Sequence, residues 1–400
     1  MPAALIIFAA AYAVIALGRL PGLRVDRTGA AVIGAALMLA FGVLTPPAAY
    51  RAVDGNTLAL LFGMMIVTAN LRLAGVFAWL GANVARRARH PLGLLAGIVL
   101  VAGVLSAFFV NDAVCVALTP LVLEIVDALG RDAVPYLLAL AMASNAGSVA
   151  TITGNPQNMM IASFSGIGYR SFAAALAPVA AVALAIVFAV IALLHRREFF
   201  SGARLQAPAQ PVRVARGLAW KAVTVAVGIV IALFAGVPAP TAALLGGAAL
   251  LLTRRLKPER VYREVDWPLL AMFAGLFVIV AGLETTRAMQ GLTAAAAGLG
   301  LNSTGVLSAV SAGLSNLVSN VPAVLLFKPL VPHLARPRQA WLALAMSSTL
   351  AGNLTPVGSV ANLIVLQRAL PQRRIGFWAY VRVGLLVTGL TLAAGVLLLR

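Results

Sequence analysis

Long apolar runs separated by short polar segments make up most of the sequence, from the run at 3–17 to the run at 377–399. A helix that crosses a bilayer needs roughly 20 mostly apolar residues, and the chain has room for about ten such helices. Composition supports this interpretation, because 62% of the residues are hydrophobic and only 10% are charged. The pattern therefore predicts an all-α polytopic membrane protein and excludes an ordinary soluble globular protein.

One polar stretch occurs twice within this apolar sequence. The first copy, SNAGSVATITGNPQN, covers 144–158, and the second copy, STLAGNLTPVGSVAN, covers 348–362. Aligned without a gap, at an offset of 204 residues, the copies pair Thr151 with Thr355, Gly154 with Gly358 and Asn158 with Asn362. Proline and glycine weaken a helix, and the freed backbone groups must be buried in protein or line a watery cavity. We therefore predict two helices broken near mid-membrane, which is typical of a transporter binding site.

The rest of the chain repeats as well, which indicates an internal duplication. Two apolar arms joined by Asn111-Asp112 form a predicted re-entrant hairpin, and a second hairpin places Asn320 opposite Asn111. Each repeat then has five transmembrane helices, with a re-entrant hairpin and a broken helix. The first repeat is expected at 1–194, with its hairpin at about 92–129 and its broken helix at about 134–166. A basic linker follows at 195–216, and the second repeat covers 217–400, with its hairpin at about 303–334 and its broken helix at about 339–369.

The distribution of charge sets the expected orientation. The net charge of +19 comes from Arg clusters between apolar runs, which indicates cytoplasmic loops rather than a nucleic-acid surface. An odd number of crossings per repeat requires the second repeat to be inverted. With the linker in the cytoplasm, only seven of the 30 Lys and Arg residues fall elsewhere: Arg51, Arg170, Arg287, Lys328, Arg336, Arg338 and Arg400. We therefore expect a multi-pass protein of the bacterial inner membrane with both termini in the periplasm.

Several motifs resemble the ion-transporter superfamily, which holds arsenite permeases, divalent anion/sodium symporters and related anion permeases. They are FFVNDAVCVALTPLVL, TITGNPQN, SNLVSNVP and TPVGSVAN, and the resemblance spans nearly the full chain. The Asn-Asp hairpin and the Gly-Asn-Pro-Gln-Asn segment resemble the arsenite and anion permease branch, which includes silicic-acid effluxers. The resemblance implies that both hairpin tips and both broken helices meet at mid-membrane, where they bind substrate and coupling cations.

Carried over position by position, the resemblance marks a set of candidate binding residues. They are Asn111, Asp112, Thr151, Thr153, Gly154, Asn155, Gln157, Asn158, Ser319, Asn320, Thr355, Gly358, Ser359 and Asn362. Asn145 and Thr349 join the candidates from the same twinned stretch. A sodium ion near Asn111 and Asn320 is one option, and no other metal is expected.

The residue types fit this role without the resemblance. A broken helix presents N–H groups at one stump, which attract oxyanions, and carbonyls at the other, which attract Na⁺. Asn and Ser side chains add donors and acceptors without a fixed charge. The alternative for Asn145, Asn158 and Asn362 is a structural role, because polar side chains also bind neighbouring membrane helices together.

Two ionisable residues are candidates for coupling. Asp112 lies deep in an apolar run, where an acid is a functional candidate and where apolar neighbours favour its neutral form. Either it carries the coupling proton or the substrate is neutral when bound. Lys328 could replace Na⁺, pair with Asp112, or extend to the membrane surface. Asp54 and Asp266, which begin equivalent runs, are predicted helix N-caps.

These features predict secondary active transport of a small inorganic oxyanion or its neutral acid, of arsenite or silicic-acid type, exported against H⁺. The alternatives are a Na⁺-coupled anion symporter of dicarboxylate or sulfate type, a cation/proton antiporter, and a channel. No enzyme is predicted, because His90, His195 and His333 lack metal-ligand spacing and no P-loop is present. No cofactor is expected beyond H⁺ or Na⁺ as coupling ion. The expected partners are the lipid bilayer, a small anion or weak acid, and a second copy in a homodimer, with no nucleic acid.

Overall fold

The computed structural model describes residues 2–18, 22–202, 204, 205, 214–286, 291, 298–370 and 373–399. All regular structure in these residues is helical, and no strand occurs among them, which confirms the predicted all-α class. Of the predicted linker, 203 and 206–213 lie outside the described residues.

The helices up to the start of the linker pack as a bundle with short connections, and the last of them, α11, lies within the predicted linker. In chain order they are α1 Pro2–Leu17, α2 Arg27–Ala40, α3 Pro46–Ala52, α4 Gly55–Leu73, α5 Val76–Arg87, α6 Pro91–Phe108, α7 Asn111–Ala128, α8 Ala133–Ser148, α9 Pro156–Ser165, α10 Tyr169–Leu194 and α11 Arg196–Phe199.

The described helices of the second half of the chain begin at Arg216. They are α12 Arg216–Phe234, α13 Ala239–Leu251, α14 Pro258–Tyr262, α15 Trp267–Glu284, α16 Thr304–Val318, α17 Asn320–Phe327, α18 Pro337–Ala351, α19 Val360–Ala369 and α20 Phe377–Leu398. Asp54 and Asp266 cap α4 and α15 as predicted, because their carboxylates accept from the backbone N–H groups of Asn56, Thr57 and Leu269.

Six of the described helices are long and apolar enough to cross a membrane: α4, α6, α10, α12, α15 and α20. Shorter apolar helices accompany them, including α1, α2 and α13. Helix α2 has 14 residues, which corresponds to about 21 Å of helix. A crossing at α2 would therefore need part of the flanking chain.

The first hairpin turns two residues earlier than the sequence suggested. Helix α6 ends at Phe108, Phe109 and Val110 form the turn, and α7 begins at Asn111. The sequence reading placed Asn111 and Asp112 in the connection, whereas the structure places both in the first turn of α7. The physical reason is that an acidic side chain is stabilised by the positive end of a helix dipole.

The second hairpin turns at one residue. Ser319 ends α16 and begins α17, with φ 75°. Such a conformation costs on the order of 1–3 kcal/mol for a residue other than glycine and is found mostly at functional sites. The return arm is short, because α17 ends at Phe327 before Pro329, whereas the aligned Pro120 lies inside α7.

Two helix pairs are interrupted by a short 3₁₀ segment. Helices α8 and α9 are separated by 149–155, with a 3₁₀ turn at Ile152–Gly154. Helices α18 and α19 are separated by 352–359, with a 3₁₀ turn at Pro356–Gly358. We call these interruptions the first break and the second break. Each hairpin packs against the interrupted helix of its own half, α6 on α8 and α16 on α18.

Ion pairs join segments that were predicted to lie on one side of the membrane. Arg131 binds Glu198 at 2.7 Å, Arg373 lies 3.4 Å from Asp127, and Arg72 pairs with Glu264. These contacts bring the start of the linker and the basic loops to one end of the bundle. That this end faces the cytoplasm stays a prediction, as do the repeat boundaries.

Candidate functional site

Equivalent asparagines satisfy the backbone carbonyls that each break leaves without a helical partner. The Asn158 amide nitrogen donates to the carbonyls of Ser148 and Thr151, both at 3.0 Å. The equivalent bonds in the second break run from Asn362 to the carbonyls of Gly352 and Thr355, at 2.6 and 3.1 Å. Donors and acceptors correspond at the offset of 204 residues. The twinned polar stretch therefore builds the same local structure twice.

The threonines of the breaks tie each break to its own hairpin. Thr151 donates to the carbonyl of Ala107 on α6. Its equivalent, Thr355, donates to Oδ1 of Asn316 on α16 at 3.2 Å. Ala107 and Asn316 occupy matching positions near the two hairpin tips. Each hairpin tip is thus fixed to the break beside it.

Asn145 on α8 is the junction between the two halves. Its amide nitrogen donates to Oδ1 of Asn353 at 2.9 Å and to Oδ1 of Asn362 at 3.0 Å. Its amide oxygen accepts from Asn111 Nδ2 and from Ser359 Oγ, both at 3.0 Å. Asn145 therefore connects the first hairpin tip to the second break and is itself buried.

Thr349 on α18 makes the reciprocal connection. Its hydroxyl accepts from Asn155 Nδ2 and Gln157 Nε2, both at 3.1 Å. Thr349 aligns with Asn145, and Asn155 aligns with Ser359, so the Asn155–Thr349 and Ser359–Asn145 bonds correspond. The second hairpin tip contributes Asn320 to these contacts.

The amide of Asn320 has one orientation in which all its partners are satisfied. Its nitrogen then donates to the carbonyls of Ser348 and Gly358, at 2.9 and 3.3 Å, and its oxygen accepts from Gln157 Nε2 at 3.3 Å. Ser148 joins these residues to Asn145, because its hydroxyl accepts from Asn155 Nδ2 at 3.0 Å and donates to the Asn145 carbonyl at 2.8 Å. Both hairpin tips and both breaks therefore share one hydrogen-bonded cluster. We call this set of side chains the amide cluster. Its members are Asn111, Asn145, Ser148, Asn155, Gln157, Asn158, Asn320, Thr349, Asn353, Ser359 and Asn362.

Asp112 lies beside this cluster in the first turn of α7. Its carboxyl lies near the backbone N–H of Ala361, the second residue of α19, and that N–H donates to Ser359 Oγ at 3.2 Å. The start of a helix carries partial positive charge, which stabilises a carboxylate there. Asp112 thus places an acidic group at the N-terminal end of the helix that follows the second break.

Lys328 does not pair with Asp112. Its ammonium lies 3.2 Å from Oε1 of Glu284, at the end of α15, and 5.5 Å from the centre of the Phe164 ring. Both side chains of the ion pair are about one-third exposed. Of the three roles weighed for Lys328, the contacts favour the one in which it extends to the surface of the bundle.

A cavity reaches the first break from the side of α4. Its volume is about 390 Å³, and its lining includes Thr57, Ile152 and Tyr169. Tyr169 forms a 2.9 Å hydrogen bond with Thr153 of the first break. The cavity therefore reaches the twinned stretch, where Ile152 and Tyr169 are part of its lining.

The two break glycines differ in how closely the chain approaches them. A Cβ atom on Gly154 would lie 2.3 Å from the carbonyl oxygen of Ser148 and 2.8 Å from that of Ser106. A Cβ on Gly358 would lie 2.8 Å from the side-chain oxygen of Asn316, which can rotate, and 3.0 Å from the Gly352 carbonyl.

Gly154→Ala is therefore expected to lower the free energy of unfolding by about 1–3 kcal/mol. Gly358→Ala is expected to lower it less. The backbone carbonyls around Gly154 cannot move without shifting α6 or α8. Thermal unfolding of the two purified variants in the same detergent measures the difference. Equal midpoints, or a lower midpoint for Gly358→Ala, would contradict the packing described for the first break.

The candidates that the sequence marked as binding residues lie in or beside one cluster, whereas the coupling candidate Lys328 binds Glu284 away from it. Sequence reasoning missed Asn353 and Asn316, which bind Asn145 and Thr355. Their aligned partners are the apolar residues Val149 and Ala107, so the comparison of the two copies gave no signal for them. Their position within or beside a twinned motif was the one available indication.

Comparison with known proteins gives a consistent result. The family model described as "CitMHS: Citrate transporter" matches residues 4–351. An uncharacterized transporter of Mycobacterium tuberculosis is 33% identical, over 97% of this chain and 96% of the relative. The silicon efflux transporter LSI3 of Oryza sativa subsp. japonica is 31% identical, over 94% of this chain and 93% of the relative.

A solved structure resembles the whole fold. It is the crystal structure of the Alcanivorax borkumensis YdaH transporter, with a TM-score of 0.65 and 16% sequence identity. The match covers 99% of this chain and 95% of that chain. At this identity the likeness supports the fold of the bundle and carries no information on substrate.

Proposed function

From the premise that the chain belongs to the CitMHS citrate transporter family, within the ion transporter superfamily, we propose that this membrane transporter exports a small neutral hydroxy acid. The substrate class is silicic or arsenous acid, and the driving ion is H⁺. The amide cluster is the binding site, and Asp112 is the group that carries the proton.

The observation that carries this proposal is the chemistry of the amide cluster. Oδ1 of Asn158 is a fully buried acceptor without a hydrogen-bond partner among the described residues. A free acceptor matches a ligand that still has O–H groups to donate. Asp112, an acid, directly follows Asn111 of the cluster in the first turn of α7. Together these groups favour a neutral hydroxy acid over a multiply charged anion.

A citrate-like anion would need different partners. Burying several negative charges is costly unless cations pair with them. The hydrogen bonds of the amide cluster join side-chain amides, hydroxyls and backbone groups, and no Lys or Arg of the described chain takes part. The relative named as a silicon efflux transporter supports the same class, since it aligns over nearly the whole chain.

Asp112 couples proton binding to a change of conformation, because it lies beside the N-terminal end of α19. In its charged form it pairs with the N-terminal end of α19 and so stabilises the contact between α7 and α19. Protonation removes that attraction and lets the first hairpin tip move relative to the second break. A cycle of proton uptake and release at Asp112 then alternates the access of the amide cluster to the two membrane faces.

Reconstitution into proteoliposomes tests the proposal. Silicic acid and arsenite are expected to leave the cytoplasmic side when a pH gradient is imposed, whereas citrate and sulfate stay at the level of protein-free liposomes. Glu284→Gln, which changes an acid of the surface ion pair with Lys328, serves as the control variant and should transport normally. Transport of citrate driven by Na⁺, with no flux of silicic acid or arsenite, would overturn the proposal.

A citrate-type anion is the second candidate because the family model carries that name. The structural observation that favours it is that α9 and α19 both begin at the breaks, so two helix N-termini face the site. The same flux experiment separates the two candidates.

A further inference from the structure

A row of serines runs along the buried face of α16 in the second hairpin. Ser308, Ser311 and Ser315 lie three and four residues apart, which places them on one side of the helix. All three are buried, with 2%, 0% and 0% of their surface exposed. We call these three residues the serine column.

The hydroxyls of the serine column have no hydrogen-bond partner in the described chain. Other buried helix hydroxyls in the protein donate to the carbonyl four residues earlier, as Thr68, Ser348 and Thr391 do at 2.7–2.8 Å. The same bond is within reach of a serine in any helix. The column hydroxyls are therefore directed away from their own helix, into the interface between helices.

The helices that pack against α16 contribute further hydroxyls of the same kind. Ser347 on α18 and Thr388 on α20 are buried, and their side-chain oxygens have no partner. Helices α16 and α18 run parallel, because the start of α16 is bound near Ala335 and its end near Ala351. In that register Ser347 lies about level with Ser311.

The column connects an exposed end of the bundle to the second break. At its outer end, Asn302 binds the backbone of Ala335 in an exposed turn just before α16. At its inner end, Asn316 follows Ser315 and accepts from Thr355 of the second break at 3.2 Å. Polar side chains therefore recur in a line along α16, from its exposed start towards the second break.

The first hairpin has no such line. The residues aligned with Ser308 and Ser311 on α6 are Val99 and Ala102, and only Ser106 matches Ser315. All three are buried. The two hairpins thus differ in polarity although they share a fold, which provides a matched control within one molecule.

We propose that the serine column is a water-filled path through which protons reach the second break from the face where α16 begins. Buried polar groups in proteins that lack a protein partner are commonly bound by internal water, and a site with several such groups can hold one. The hydration of the path is independent of the proposed function, whereas its role as the route of the coupling proton rests on proton-driven export.

Single cysteines in a Cys115→Ser background test whether the path is wet. Ser308→Cys and Ser311→Cys are compared with Val99→Cys and Ala102→Cys, using a small membrane-impermeant methanethiosulfonate on vesicles of either orientation. Arg204→Cys marks the linker side. The α16 thiols are expected to react about ten-fold faster than the α6 thiols, from the face opposite position 204. Equal rates, or labelling of Ser311→Cys only from the linker side, would overturn the proposal.

A transport assay distinguishes a failure of the proposed water path from a failure of the proposed function. The triple variant Ser308→Ala/Ser311→Ala/Ser315→Ala should lose about five-fold in transport driven by a pH gradient and keep gradient-free substrate exchange. Fast labelling without any pH-driven transport in the wild type would leave the water path standing and overturn the proton-coupled function. Full pH-driven transport in the triple variant would overturn the role of the column in proton delivery.

Discussion

Asp112→Asn is expected to abolish transport driven by a pH gradient while substrate exchange across the membrane continues. Asparagine keeps the size of the side chain and an oxygen at the position near the start of α19. It cannot take up and release a proton, so the charged state that binds α19 never forms. Uptake into proteoliposomes with an imposed pH gradient, and exchange of labelled substrate without one, measure the two activities separately.

The control for this variant is Asp54→Asn. Asp54 caps α4, and asparagine caps a helix about as well as aspartate, so stability should change little. Asp266 and Cys115 are other titratable groups near Asp112. If Asp112→Asn keeps full pH-driven transport, Asp112 is not the proton carrier. If the variant loses a dependence on Na⁺ instead, the sodium-coupled alternative becomes the better explanation.

Asn145→Ala is expected to lower stability by several kcal/mol and to reduce transport to the level of protein-free liposomes. The substitution leaves the partners on Asn111, Asn353, Asn362 and Ser359 without their bonds to residue 145. Each buried polar group left unpaired costs about 1–3 kcal/mol. The same change disconnects the first hairpin tip from the second break. Thermal unfolding in detergent and flux in proteoliposomes measure the two effects.

Two further variants serve as comparisons for Asn145→Ala. Asn83→Ala removes a half-buried asparagine whose hydrogen bonds, to the Trp79 carbonyl and from Arg86, stay within α5, and it should behave as the wild type. Thr349→Ala removes the residue equivalent to Asn145, which has two partners instead of four, and its effect should be intermediate. A stable, active Asn145→Ala variant would show that the junction between the halves does not depend on this side chain.

The sequence by itself predicted the helical class and the placement of the polar breaks. Both depend on local properties: apolar run length sets which segments can be membrane helices, and Pro156, Pro356 and nearby glycines interrupt them. The match between Asn158 and Asn362 was also visible, and the structure gives both residues the same task. The capping roles of Asp54 and Asp266 followed from their positions before apolar runs.

Partners across long distances in the chain were decided only by the tertiary structure. Asn145 binds residues 208 and 217 positions away, and Lys328 binds Glu284 rather than Asp112. The sequence shows that α16 carries serines where α6 carries apolar residues. Only the packing of α16 against α18 showed that these serines are buried and without hydrogen-bond partners in the described chain. Apolar periodicity states which face of a helix is buried, but it does not state which helix covers that face. That choice depends on how all the helices pack together, which no local pattern in the chain records.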